Sequence, residues 1–236
     1  MGRAIAERFA KNGDFVYIVG RRKEVLDTVV KENPDYKITA VPADVTDPTS
    51  IHALVKMIQK DHKEVDVLIN NAGGSGHIQE GLKLDEALQK WNEVIATNLT
   101  SAFLMVYAFK PMLARPGGRV INISSLSAFA GSSRVGGEGY SAAKAGLHGM
   151  SRTLVRVLAP EGITVNCIAP GLIDETEFFG DTLTPERKAG ILKTTPAGTL
   201  GVPADIVEGA FYLASEGASF VNGDILNING GAQFSR

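Results

Sequence analysis

Short, nearly continuous runs of β-branched and other apolar residues alternate with helical patterns along the whole chain. The runs predict strands at 15–19, 38–43, 65–69, 119–123, 164–168 and 225–228. Continuous rather than alternating apolar character is expected of strands buried on both faces. Between them, apolar spacing of three and four predicts helices, most clearly at 49–61, 85–113, 140–159 and 203–215. Thr49 and Ser50 are the candidate caps of the first, and Pro203 stands near the first helical position of the last. The βαβα order predicts an α/β fold: a doubly wound parallel sheet, Rossmann-like, with helices on both faces, in a single domain over 1–236. No internal repeat, low-complexity tract or linker interrupts it. The stretch 172–199 reads as irregular, and loops of that length are usually lids or binding loops.

Composition removes several function classes. The 236 residues are 44% hydrophobic and 21% charged, with a net charge of −2, so a basic nucleic-acid footprint is missing. No apolar run reaches the roughly 18–20 residues of a membrane helix. The opening Met1-Gly2-Arg3-Ala4-Ile5-Ala6-Glu7-Arg8 is an amphipathic helix with mixed charges, unlike a secretory signal. One cysteine, Cys167, forms no internal disulfide, which points to a reducing cytoplasm, and with four histidines it argues against a structural metal.

Ligands of a doubly wound sheet bind beyond the carboxyl ends of its strands, so the residues there carry the candidate chemistry. Gly20-Arg21-Arg22 follows the first strand. An acidic residue there would bind a ribose 2′-hydroxyl, whereas arginines present a planar fork to a 2′-phosphate. Two solvated arginines at a helix start are the alternative. Asp44-Val45 follows the second strand and suits an adenine amine and ring, unless Asp44 caps the next helix. Asn70-Asn71-Ala72-Gly73-Gly74 follows the third, where small residues let backbone approach a ligand closely.

The fourth strand ends in Ile123-Ser124-Ser125, and after a glycine-rich loop Tyr140-Ser141-Ala142-Ala143-Lys144 opens a long helix. Residues four apart share a helix face, so Tyr140 and Lys144 are neighbours. A free tyrosine, with a pKa near 10, is a poor acid–base group at neutral pH, and a nearby ammonium favours its phenolate. Ser125 supplies a hydrogen-bond donor to a substrate oxygen. Proton transfer at an alcohol oxygen needs such a set, with hydride movement left to a cofactor.

Together these residues resemble the short-chain dehydrogenase/reductase family across essentially the whole chain. The likeness rests on Gly2-Arg3-Ala4-Ile5-Ala6, Asp44-Val45, Asn70-Asn71-Ala72-Gly73, Asn98, Asn122-Ile123-Ser124-Ser125, Tyr140 to Lys144, Pro170-Gly171 and Asn229-Gly230-Gly231. Arg187-Lys188-Ala189-Gly190-Ile191-Leu192 and Pro196-Ala197-Gly198 look like its 3-oxoacyl-carrier-protein reductase branch. The resemblance implies Tyr140 as general acid in reduction and base in oxidation, and Lys144 lowering its pKa and holding the nicotinamide ribose. Ser125 would polarise the carbonyl, and Asn98 would support a proton-relay water, unless it is satisfied within a helix kink. Asn71, Ala72 and Gly73 would line the cofactor, with Gly2 at the pyrophosphate and Pro170, Gly171 and Ile173 against the carboxamide. The implied cofactor is NADP(H), with NAD(H) as the alternative.

The resemblance also implies a homotetramer built through helices 85–113 and 140–159, with Phe103, Met105 and Leu147 at the contact or in the core. An acyl-carrier partner would need a basic docking patch, for which Arg115 and Arg119 are candidates and Glu161 counts against. The loop 172–199, with Phe178 and Phe179, either covers a substrate pocket or makes a subunit contact.

Three departures from the family pattern stand out. Ser125 lies two residues further from Tyr140 than usual, with extra residues placed near Ser132-Ser133-Arg134, and Ser127 has the usual count. Glu175 stands where a threonine is expected, with Thr176 next. The family's first, central strand and its Thr-Gly-x-x-x-Gly-x-Gly turn have no counterpart except Gly2. An internal methionine of a longer reading frame would explain this, and loss of the strand should leave two unpaired edges and an open core. The expected function is therefore NAD(P)-dependent reduction of a carbonyl or oxidation of a secondary alcohol, with a 3-oxoacyl thioester among the substrates. The competing readings are a non-catalytic nucleotide-binding fragment and an NAD-preferring alcohol dehydrogenase.

Overall fold

In the computed structural model, residues 1–174, 176 and 183–234 are described. Helix α1 (Gly2–Lys11) leads into strand β1 (Val16–Gly20), then α2 (Lys23–Glu32), β2 (Ile38–Pro42), α3 (Pro48–Asp61) and β3 (Val67–Asn70). The second half runs α4 (Leu84–Ile95), α5 (Ser101–Phe109), β4 (Arg119–Ile123), a short α6 (Ser127–Ala130) and α7 (Glu138–Leu158). It ends with β5 (Thr164–Pro170), α8 (Pro185–Thr194), α9 (Pro203–Ala214) and β6 (Ile225–Ile228). All described strand pairs are parallel, as the βαβα reading expects.

The strands form two sheets. Among the described residues β1 pairs only with β2, and β3-β4-β5-β6 form a second sheet in that order. Residues alternate across the larger one. Val120 and Val165 face a core shared with α3, α5 and Leu158 of α7, while Ile121, Ile123 and Ile168 face α1 and α9. α1 is held to α9 by an Arg8–Glu208 ion pair of 2.9 Å and an edge-on contact between Phe9 and Phe211.

Between the facing edges of β1 and β3 lies a cavity of about 1700 Å³, lined by Val16 to Val19 on one side and Val67 to Asn70 on the other. That volume exceeds the roughly 300–1,000 Å³ of a small-molecule pocket. Its walls include Ile5, Phe9, Met105 and Phe109. At the carboxyl end of the strands it opens among Asn98, Tyr140 and Lys144. The two unpaired edges and open core expected from the sequence are thus present.

Several local expectations need correction. The helix read as 85–113 is broken: a π-helical turn, Ala96–Thr100, separates α4 from α5. α3 is capped by neither Thr49 nor Ser50. Asp47 accepts from their backbone N–H groups at 3.2 and 2.9 Å, with Pro48 at the first helical position. α8 lies inside the stretch read as irregular, capped by Thr184. Arg119 is 5% exposed and donates to the Gly117 and Gly118 carbonyls, and Arg115 is ion-paired with Glu161. Neither is a free cation for docking an acidic partner. Both precede or begin β4, a strand about 16 Å long, whose far end carries the candidate chemistry.

Candidate active site

α7 places Tyr140 and Lys144 one turn apart, both buried against the carboxyl end of β4. Lys144 Nζ donates to the carbonyl of Ile123 at 2.8 Å and lies 5.7 Å from the centre of the Tyr140 ring. The Tyr140 hydroxyl is hydrogen-bonded to Ser125. Ser127, the other candidate by spacing, opens α6 and gives its backbone N–H to Ser125 Oγ at 3.1 Å. The structure therefore joins Ser125 to Tyr140, and Ser132-Ser133-Arg134 fall between α6 and α7.

Asn98 sits in the π-helical turn, where an added residue per turn re-aims a side chain. Its Oδ1 accepts from Gly74 N–H at 3.1 Å and its Nδ2 donates to the Val94 carbonyl at 3.0 Å. A Cβ on Gly73 would stand 2.7 Å from Asn98 Oδ1 and 3.3 Å from Lys144 Nζ. Only glycine lets the backbone after β3 approach both groups this closely.

Of the other predicted residues, Gly2, Asn71, Ala72 and Gly73 line the same cleft, and Pro170, Gly171 and Ile173 are not among its lining residues. Gly2, at the N-terminus of α1, abuts Asn71, whose Nδ2 would lie 2.6 Å from an added Cβ. Asn71 Oδ1 is buried without a partner. Ala72 continues that loop at the surface. The Pro170 carbonyl accepts from Leu126 N–H at 2.9 Å, Gly171 N–H donates to Ile228, and Ile173 is buried beneath α9. Thr176 lines the cavity and donates to the Ile173 carbonyl at 3.2 Å. Glu175, Phe178 and Phe179 lie outside the described residues.

The carboxyl ends of β1 and β2 are less tightly built. Arg21 and Arg22 follow β1 and are exposed. Asp44 does not cap α3; its Oδ1 accepts from Thr46 N–H and Oγ1 at 2.9 and 2.7 Å. Those bonds hold the carboxyl below its ordinary pKa, assisted by the charge of Arg21. Val45 packs on the core. Sequence reasoning missed two groups, the Ile123 carbonyl that holds Lys144 and the Gly74 N–H that holds Asn98. Backbone groups leave no signature in side-chain identity.

Burial pushes the Tyr140 phenol pKa up, and its bond to Ser125 acts the other way. The expected lowering by Lys144 is not what dominates here. Lys144 itself is pushed down to about 8 by burial. This sets a sign for stability. Below pH 8 Lys144 is protonated folded and unfolded, and the folded state bears the burial penalty. Between about 8 and the ordinary 10.5 the folded chain releases that proton first. Stability relative to Lys144→Met should rise across this window by up to about 3 kcal/mol. Denaturant titrations of both proteins from pH 7 to 10.5 check this, and a constant difference contradicts it.

A nicotinamide cofactor fits one end of the cleft. The glycine approach at Gly73, the unpartnered Asn71 Oδ1 and the buried Lys144 ammonium offer the close backbone and polar groups it needs. At the phosphate end the described residues provide the N-terminus of α1 and Gly2, a helix terminus suited to anions.

The fold and this constellation define a nicotinamide-dependent oxidoreductase on a Rossmann-like sheet, and the chain belongs to the short-chain dehydrogenase/reductase family. A family described as Enoyl-(Acyl carrier protein) reductase matches residues 1–233. The chain is 37% identical over 238 residues to the 3-oxoacyl-[acyl-carrier-protein] reductase FabG of Haemophilus influenzae, covering 100% of this chain and 94% of that protein. It is 37% identical over 240 residues to FabG of Escherichia coli K12, with 98% and 92% coverage. Among solved structures, a 7α-hydroxysteroid dehydrogenase complexed with NADH and 7-oxo glycochenodeoxycholic acid superposes with a TM-score of 0.88 at 29% identity, covering 98% and 89% of the two chains. A Brucella melitensis glucose/ribitol dehydrogenase of the same family gives 0.87 at 29%, covering 99% and 92%.

Proposed function

We propose that the chain reduces a carbonyl, or oxidises the corresponding secondary alcohol, with NADP(H), and that 3-oxoacyl thioesters are its substrate class. The observation that carries this reading is the hydrogen-bonded Ser125–Tyr140 pair with Lys144 one helical turn away. When bound, the cofactor supplies or accepts the hydride. Tyr140 donates its hydroxyl proton to the developing alkoxide in reduction and takes it back in oxidation. Ser125 holds the substrate oxygen beside that hydroxyl. Lys144, kept in place by the Ile123 carbonyl, stabilises the phenolate left behind. Asn98 anchors the loop after β3 through Gly74, and a water beside it would return a proton to Tyr140. The similarity to FabG proteins favours an acyl thioester over other ketones.

Arg21 and Arg22 favour NADP(H), because they and not a carboxylate directly follow Gly20 at the end of β1, and guanidinium groups match a 2′-phosphate. Arg21→Asp should lower the ratio of kcat/KM for NADPH over NADH by roughly 10–100-fold, the worth of one or two charge-assisted hydrogen bonds. An unchanged ratio would mean that Arg21 is merely solvated and that NAD(H) serves as well.

A homotetramer in a reducing compartment accompanies this reading. Met105 and Leu147 belong to the core. Leu84 and Tyr107, however, are 83% and 72% exposed on α4 and α5, and Phe103 stacks 5.6 Å from Tyr107. Such apolar surface favours burial against further copies of the chain. Among the described residues no helix is long and apolar enough to cross a membrane. The alternative, a cofactor-binding scaffold without turnover, is not favoured by the similarity to reductases and dehydrogenases. Assays of reduced-cofactor consumption with a panel of 3-oxoacyl thioesters and simple ketones separate the two.

A further inference from the structure

Helix α7 carries His148 one turn beyond Lys144, so Tyr140, Lys144 and His148 lie along one face. Each meets one of three consecutive residues at the end of β4. Tyr140 is bonded to Ser125, Lys144 to the carbonyl of Ile123, and His148 Nε2 lies 2.7 Å from Ser124 Oγ. The Ser124 hydroxyl also donates to the Lys144 carbonyl at 3.2 Å, and its N–H donates to Ile168 of β5 at 2.7 Å. Both His148 and Ser124 are buried, and Phe129 of α6 packs 4.9 Å from the imidazole.

The direction of this chain depends on where the single Ser124 hydroxyl hydrogen lies, on the Lys144 carbonyl at 3.2 Å or on His148 Nε2 at 2.7 Å, and the first arrangement is the one put to test below. Ser124 has one hydroxyl hydrogen, and a carbonyl only accepts. With that hydrogen on the Lys144 carbonyl, the Ser124–His148 contact requires His148 to donate from Nε2. The imidazole is then the neutral Nε2–H tautomer. Burial first, and the charge of Arg152 second, push its pKa down to about 4, in keeping with a neutral ring.

We propose that His148 is a positioning residue: through Ser124 it fixes the end of β4 against α7 and so sets the distance between Ser125 and Tyr140. A link one residue from Ser125 and one turn from Lys144 acts on both sides of the reacting oxygen. Loss of this donor lets the strand end shift relative to the helix, and small misplacements of reacting groups are expensive in rate. The inference rests on the reading of Ser125, Tyr140 and Lys144 given above.

His148→Leu keeps the bulk and removes the donor. It should lower kcat by roughly tenfold while leaving the KM values for substrate and cofactor within about twofold. His148→Gln, whose amide nitrogen reaches the place of Nε2, should recover most of that loss. Ser124→Ala removes one oxygen from the other side of the link and should lower kcat to a similar extent. The double variant should be no worse than either single one. A wild-type kcat in Ser124→Ala, a Gln variant as slow as the Leu variant, or additive losses would overturn the proposal. Long-range ¹H–¹⁵N correlation on the unmodified protein should find the Nε2–H tautomer at pH 7, and the Nδ1–H tautomer would also overturn it. This spectrum needs no turnover. Wild-type inactivity would therefore defeat the functional reading alone, while normal turnover in Ser124→Ala would defeat the role of His148 alone.

Discussion

Replacing Tyr140 by Phe should lower kcat by roughly 10²–10⁴-fold, the usual worth of a positioned general acid. The substitution removes one oxygen from a buried side chain whose described polar link is to Ser125. A single neutral hydrogen bond contributes only about 1 kcal/mol to stability, so folding should be nearly unaffected. Cofactor affinity should also be little changed, because Lys144 keeps its bond to Ile123. Fluorescence titration with reduced cofactor and single-turnover kinetics separate these effects. Turnover within threefold of wild type would mean that the proton comes from another group, and the assignment of Tyr140 would fail. A collapse of cofactor binding together with kcat would instead make Tyr140 a structural part of the cleft.

The second large effect concerns the slot between β1 and β3. A fused segment of five consecutive apolar residues followed by Thr-Gly-x-x-x-Gly, placed before Met1, should pair with both edges. Burying a large apolar side chain is worth about 1.5–3 kcal/mol, against roughly 1–2 kcal/mol per residue for ordering the backbone. Recovered ladder hydrogen bonds add to the difference. A net gain of a few kcal/mol corresponds to a rise in Tm of roughly 5–15 °C at this chain length. The glycine turn would also direct two or more backbone N–H groups at the pyrophosphate beside the N-terminus of α1. Two charge-assisted bonds of about 1.5 kcal/mol each imply roughly 100-fold tighter binding. An unchanged Tm would show that the slot closes without a strand. Tight NADP(H) binding by the unextended chain would contradict the role given to the turn.

Much of this site was legible because the fold puts chemistry where strands stop. Asn70–Asn71, Ser124–Ser125 and Pro170–Gly171 mark ends of β-branched runs, and those ends converge for topological reasons. The pairing of Tyr140 with Lys144 followed from helical periodicity alone. The break at Ala96–Thr100 was hidden because a π-helical turn keeps helical dihedrals and the apolar spacing continues through Leu99 and Ala102. α8 buries none of its residues fully, so it has no apolar face to detect, although Thr184-Pro185-Glu186 is a cap signal. The choice of Asp47 over Thr49 or Ser50 as cap depended on backbone conformation, since all three side chains are good acceptors. The burial of Arg119 was hidden for another reason. A strand-start arginine reads as surface until the Gly117 and Gly118 carbonyls fold back onto it. His148 was visible only as one more residue on the face of α7, and its meaning depended on the Ser124 hydroxyl opposite.

In the proposed reaction the chain moves hydride between a nicotinamide and a carbonyl carbon while Tyr140 handles the proton. Its most direct test is reduction of a short 3-oxoacyl thioester with cofactor deuterated at the transferring C4 position, run on this chain and on the strand-extended form. Mass spectrometry of the hydroxyacyl product should find one deuterium on the carbinol carbon with wild-type Tyr140, and product formation should nearly vanish with Tyr140→Phe. No deuterated product from either form of the chain, across the thioester and ketone panel, would contradict the account.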